Sequence, residues 1–213
     1  MYNAIIENSN FELVEKKSRF IANLLYIESK EHAEIIIKEF KKKYYDARHN
    51  CYAYRVLTEN EIYEKSSDDG EPSGTAGAPM LNILQKNNLC NVIIIVTRYF
   101  GGILLGTGGL VRAYSNATIG AIEKSEFVEI ELGVELEVMV DYANYQNLQY
   151  YCNKYNINIV SSEYNENILL TLEMTNTTKE KFLNDINNKA ISIDKIINQN
   201  NKYIITKTNT KWN

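Results

Sequence analysis

Five side chains able to move protons or attack a carbonyl fall within a short reach of one another. They are His49, and Asp68, Asp69, Glu71 and Ser73 of the segment SSDDGEPSGTAGAP at 66–79. A hydrolase using Ser-His-Asp should carry its serine on a Gly-x-Ser-x-Gly elbow, and Ser73 sits instead in Glu71-Pro72-Ser73-Gly74. Cys51 near His49 is a second nucleophile candidate, weakened because a strand would turn it to one face of a sheet. Three carboxylates in four residues resemble an acid/base or metal cluster. A solvated acidic loop is the commoner explanation, since like charges this dense usually stay in water.

A second chemistry is written in glycine. Eight of the ten glycines and both prolines lie between Gly70 and Gly109. Gly74 and Gly77 precede one short helical pattern. Gly101-Gly102 and Gly106, Gly108 and Gly109 precede another. Strand, glycine turn, helix start is the order that aims free backbone N–H groups at an anion. The same glycines would also serve tight turns and close packing. Arg98 and Arg112 bracket the second turn, and Arg19 and Thr75 stand in neighbouring segments. All five arginines fall at or before residue 112 in a chain with 18 lysines. A guanidinium offers the rigid fork that suits phosphate, although structural ion pairs use it too. No glycine is followed by lysine, so there is no P-loop, and Val111 stands where a dinucleotide fingerprint needs its third glycine.

The elements that must hold these residues are legible. Phe11–Val14 and Arg19–Ile27 read as strands about a Lys16-Lys17-Ser18 turn. Ser29 should cap a helix to about Tyr45, burying Ile35, Ile36, Phe40 and Tyr44, with His32 exposed. Cys51–Leu57 alternates as a strand, turns at Glu59-Asn60 and returns over Ile62–Lys65. Val92–Thr97 is an unbroken β-branched run, expected to be buried on both faces. Two glycine-led helix starts would flank it. After a change of character at 125–133, the pattern becomes a strand at 134–140, a helix at about 142–155, strands at 157–163 and 168–174, a helix at about 178–188 opened by a Thr177–Glu180 capping box, and a last strand near 202–208. Residues 209–213 should fray. That order, βαββαβ, is the split βαβ of ferredoxin-like folds. Two domains are expected, 1–132 and 133–213.

Composition narrows the class. A chain of 213 residues that is 45% hydrophobic and 23% charged suits a globular fold. A net charge of −4 argues against broad electrostatic binding to nucleic acid. The N-terminus lacks the basic and apolar regions of a signal peptide, and no apolar run reaches the ~18 residues of a membrane span. Three scattered cysteines fit buried thiols in a reducing cytoplasm. No spacing suggests a metal, and no cofactor is expected.

The phrases KKSRFIA at 16–22, RHNCYAYR at 48–55, DDGEPSGTAGAP at 68–79 and VTRYFGGILLGTGGLVRAY at 96–114 together resemble the IMPACT/YigZ family. The resemblance covers most of 11–124, and the second half is similar to the C-terminal domain of bacterial members. It implies an α+β protein. The N-terminal half would be a two-layer α/β sandwich of ribosomal-protein type, similar to domain IV of elongation factor G. The C-terminal half would be ferredoxin-like, similar to domain V of that factor. It also implies translation-associated regulation through RNA or the ribosome. Residues matching the signature are Arg19, His49, Asp68, Asp69, Glu71, Ser73, Thr75, Arg98, Arg112 and the glycines between them. Two alternatives stand beside RNA binding: a hydrolase-type enzyme acting on an anionic substrate, and a module that binds a protein partner.

Overall fold

A computed structural model describes residues 1–58 and 61–209. The expected Glu59-Asn60 turn and the fraying end at 210–213 lie outside the described residues. The chain divides into two compact units, Tyr2–Glu129 and Ile130–Thr206.

In the first unit, strand β1 (Tyr2–Ile5) precedes β2 (Ser9–Glu15) and β3 (Ser18–Tyr26). Helix α1 (Lys30–Lys43) follows, then β4 (His49–Leu57), β5 (Ile62–Ser67), α2 (Gly77–Lys86), β6 (Val92–Tyr99) and α3 (Thr107–Glu123). The sheet runs β2-β3-β6-β4-β5, antiparallel throughout, with the apolar run β6 at its centre. Period-2 alternation divides the side chains between its faces. Phe20, Ala22, Leu24, Cys51, Ala53, Val92, Ile94 and Val96 pack with α2 and α3. Ile93, Ile95, Tyr52 and Tyr54 pack against α1 on the other face. The two glycine-led helices therefore share one layer above the central strand, and α1 covers part of its underside.

Ser29 caps α1, its hydroxyl accepting the His32 N–H at 3.1 Å. The buried stripe is Ala33, Ile36 and Ile37, with Phe40 half-buried. Ile35, expected inside, is 54% exposed. The i, i+3, i+4, i+7 stripe is Ala33, Ile36, Ile37 and Phe40, and Ile35 falls off it toward solvent.

The second unit takes most of β7 (Phe127–Val140), then α4 (Tyr142–Lys154), β8 (Asn158–Tyr164), β9 (Ile168–Thr175), α5 (Asn176–Asn187) and β10 (Lys195–Asn209) as far as Thr206. β10 pairs with β7, β7 with β9, and β9 with β8. This fourth-first-third-second order is the ferredoxin-like arrangement. The first strand begins at Phe127 rather than 134. Gly133 does not break it, because this is a site of close approach: a Cβ there would stand 2.3 Å from the Met174 carbonyl oxygen. The capping box is also displaced. Thr175, not Thr177, caps α5 by accepting the Thr178 N–H at 3.2 Å.

Candidate functional site

Alternation along β6 decides where Arg98 goes. Val92, Ile94 and Val96 face α2 and α3, and Arg98 follows them in phase. Its guanidinium is therefore drawn beneath the surface, 6% exposed, between the rings of Phe20 and Phe100 at 5.4 and 5.6 Å. There Nη1 donates to Glu71 Oε1 at 2.7 Å, and the Tyr114 hydroxyl donates to the same oxygen at 2.8 Å. The Cys51 Sγ lies 3.3 Å from the Tyr114 oxygen and 2.9 Å from the Asp68 carbonyl. Arg98 Nε is buried without a partner among the described residues. Burial pushes the Cys51 thiol up to about 12, and raises the Tyr114 hydroxyl as well. Neither group is poised to ionise near neutral pH.

The acidic loop joins this network, and its three carboxylates serve three different purposes. Asp68 accepts N–H bonds from Gly74, Ala76 and Gly77 at 2.8, 2.9 and 2.8 Å. It fills the amide cradle at the start of α2 with a charge from its own chain. Burial alone would raise its pKa; the bonds from Gly74, Gly77 and Ala76 outweigh that and hold it below its ordinary value. Asp69 pairs with Lys41 at 2.5 Å and accepts the Asn50 N–H at 2.8 Å. Glu71 is committed to Arg98 and Tyr114. His49 does meet this loop: its Nδ1 lies 3.0 Å from the Asp69 carbonyl, an oxygen that only accepts, so Nδ1 carries the proton. Ser73 is exposed, and Thr75 is buried with its hydroxyl donated to the Pro72 carbonyl at 2.7 Å. Among the described residues no group of three His, Cys, Asp or Glu side chains gathers as a metal-ligand set.

The second glycine turn is arranged differently. Gly101 donates its N–H to Ser18 Oγ at 3.2 Å, wedged so tightly on the β2–β3 turn that a Cβ would sit 2.0 Å from the Lys17 carbonyl carbon. On either side of Gly101-Gly102 the chain exposes Phe100, Ile103 and Leu104, the last at 81%. Gly106, at φ +71°, begins α3. No side chain caps that helix and its first turn holds no acidic residue. Gly108 is open, and a Cβ on it would come within 3.8 Å of Arg112 Nη1. Arg112 is exposed. With Glu15, Lys16, Leu105, Gly109, Ala113 and Asn116 it lines a recess of about 110 Å³. Arg19 is exposed as well, bound two-pronged to Glu12 at 2.7 and 2.8 Å.

The structure thus separates what proximity in sequence suggested. His49, Asp68, Asp69, Glu71 and Arg98 converge in one internally bonded cluster, in which Arg98 Nε alone of the guanidinium nitrogens is left without a partner among the described residues. Gly106, Gly108, Gly109 and Arg112 form an open one, with Lys16 at its edge. Tyr114, Ser18, Asn50 and Lys41 complete the first cluster and were not singled out from the sequence. Tyr114, Ser18 and Asn50 lie inside the phrases quoted above, which is the signal that was available.

Comparison with known proteins bears on the whole chain. A family model described as the Impact N-terminal domain matches residues 16–122, and one described as a domain of unknown function (DUF1949) matches 138–190. An "IMPACT family member" of Haemophilus influenzae is 40% identical over 184 residues, covering 84% of this chain and 88% of that one. The "IMPACT family member YvyE" of Bacillus subtilis is 43% identical over 142 residues, 67% of this chain; the match spans just under two thirds, 65%, of that protein. A crystal structure of a hypothetical protein superimposes with a TM-score of 0.60 at 29% identity, covering 90% of this chain and 95% of that one. The match of the signature domain over half of the chain, with an extended relative well above 30% identity, means that the chain belongs to the IMPACT family.

Proposed function

We propose that this protein is a cytoplasmic, translation-associated regulator whose first unit binds the phosphate backbone of RNA, free or in the ribosome, at the open start of α3. The observation that carries the reading is the uncapped start at Gly106 with the Arg112 guanidinium beside Gly108. Helix-start amides and a guanidinium are the two donor sets that suit a phosphate oxygen. Lys16 adds a cation at the rim, and the exposed Phe100 ring is available for stacking on a base. Gly102 shapes the loop that presents Phe100. Arg98 supports that loop from below, its charge balanced by Glu71. Kinship with the family supports the link to translation.

The carboxylates a hydrolase would use at this end of the sheet are engaged as caps and ion-pair partners, so no observation favours the enzymatic alternative over binding. Filter binding of labelled single-stranded RNA and of ribosomal subunits across a salt series tests the proposal. Wild type should bind with a salt-dependent affinity, and Arg112→Ala should bind more weakly with a shallower salt slope. Equal, salt-independent retention of the two proteins would overturn it. Co-purification of a protein partner that resists ribonuclease, with no RNA retained, would shift the reading to a protein-interaction module.

A further inference from the structure

The second unit carries a groove that none of the above uses. It lies between α4 and α5 and measures about 630 Å³, within the roughly 300–1,000 Å³ of small-molecule sites. Asn147, Tyr150, Tyr151 and Lys154 reach it from α4 at i, i+3, i+4 and i+7, one face of the helix. Lys181, Asp185 and Lys189 line the other side. Three lysines thus meet a single carboxylate, in a chain whose net charge is −4. That carboxylate is already engaged: Asp185 accepts the Tyr151 hydroxyl at 2.5 Å and Lys181 Nζ at 2.9 Å. The ammonium groups of Lys181 and Lys154 stand 4.5 and 5.3 Å from the centre of the Tyr155 ring. Tyr150 offers a ring that is 70% exposed. A cation at a helix end complements the helix dipole, and Lys154 fits that account. Lys181 lies mid-helix and Lys189 beyond the end of α5, so the dipole does not explain why all three converge.

We propose that this groove binds a nucleoside phosphate unit, either as a free nucleotide or as part of a strand. The base would stack on Tyr150, Asn147 would meet its polar edge, and the phosphate would lie toward Lys154 and Lys189. The site shares no residue with the start of α3 and does not depend on the function proposed there.

The test is an amide-resolved NMR titration of the full-length chain with UMP, AMP, octauridylate and inorganic phosphate in turn. Shifts at Tyr150, Lys154, Lys181 and Lys189 with the mononucleotides identify a free nucleotide as the ligand. Shifts there with the octamer alone identify a strand. In either case Tyr150→Ala should weaken binding about tenfold, in line with the loss of one stacked base. Lys154→Glu with Lys189→Glu should abolish it. Circular dichroism of the variants should be unchanged, since all three side chains face solvent or the groove. Absence of shifts in the groove with every nucleotide would overturn the proposal, as would equal affinity for inorganic phosphate and nucleotide together with an inert Tyr150→Ala.

Discussion

Glu71 and Arg98 meet beneath the surface of the first unit, Oε1 to Nη1 at 2.7 Å, with their side chains 3% and 7% exposed. Removing one partner of such a pair strands the other in a dry site. Arg98→Ala should therefore lower unfolding stability by about 3–5 kcal/mol, read as a fall in the urea midpoint. Arg98→Met combined with Glu71→Gln, which leaves no buried charge, should recover much of the loss. If the single variant unfolds like wild type, the pair does not bear the weight assigned to it.

Asp68 makes stability depend on acid. Its carboxyl is held below its ordinary value in the folded chain, so it binds protons less readily there than when unfolded. The stability it confers is complete above its unfolded pKa of about 3.9 and is lost as pH falls through the lower folded value. Asp68→Asn should cost about 1–2 kcal/mol at pH 7. The gap from wild type should close below pH 4. Chemical denaturation at pH 7, 5 and 3 measures it.

The Cys51 thiol, pushed up to about 12 by burial, should resist alkylation in the native protein. Mass spectrometry after iodoacetamide treatment at pH 8 should find Cys51 unmodified in buffer and labelled in denaturant. Native labelling would mean that this end of the sheet opens readily.

Two glycines seven residues apart should answer differently to a methyl group. Gly101→Ala drives a Cβ into the Lys17 backbone, and should cost about 1–3 kcal/mol through overpacking. Gly108→Ala, helical and facing open space, should be neutral or raise stability by a few tenths of a kcal/mol, up to about 1. Thermal melts of the two variants decide the point.

Arg112→Ala should leave the melting temperature unchanged and reduce the salt slope of RNA binding by about one. A large loss of stability would instead make Arg112 part of the scaffold.

Most of the architecture could be read from the chain because punctuation and periodicity agreed. β6 was marked by its β-branched run, α2 and α3 by their glycines, and the second unit by alternation between turns. Rotational phase was harder. Ile35 was assigned to the interior because the helical pattern admits a neighbouring stripe, and only packing on β4 and β6 fixes which one is used. The burial of Arg98 was written in its phase with Val92, Ile94 and Val96, but arginine's affinity for phosphate drew attention away from it. The loop carboxylates were unreadable for a different reason. Asp68 reaches amides six to nine residues on, and Asp69, in the same loop, reaches back to Lys41 on α1. Composition reports how many charges there are, not which partner each one finds.

The two look-alike helix starts differ in one respect with a practical outcome. At α2 the occupant is tethered six residues from its cradle, so raising salt or adding free phosphate has no ready way to displace Asp68. At α3 any occupant must arrive from solution and can be competed away. A phosphate titration should therefore find one responsive helix terminus in this domain, although the sequence writes two.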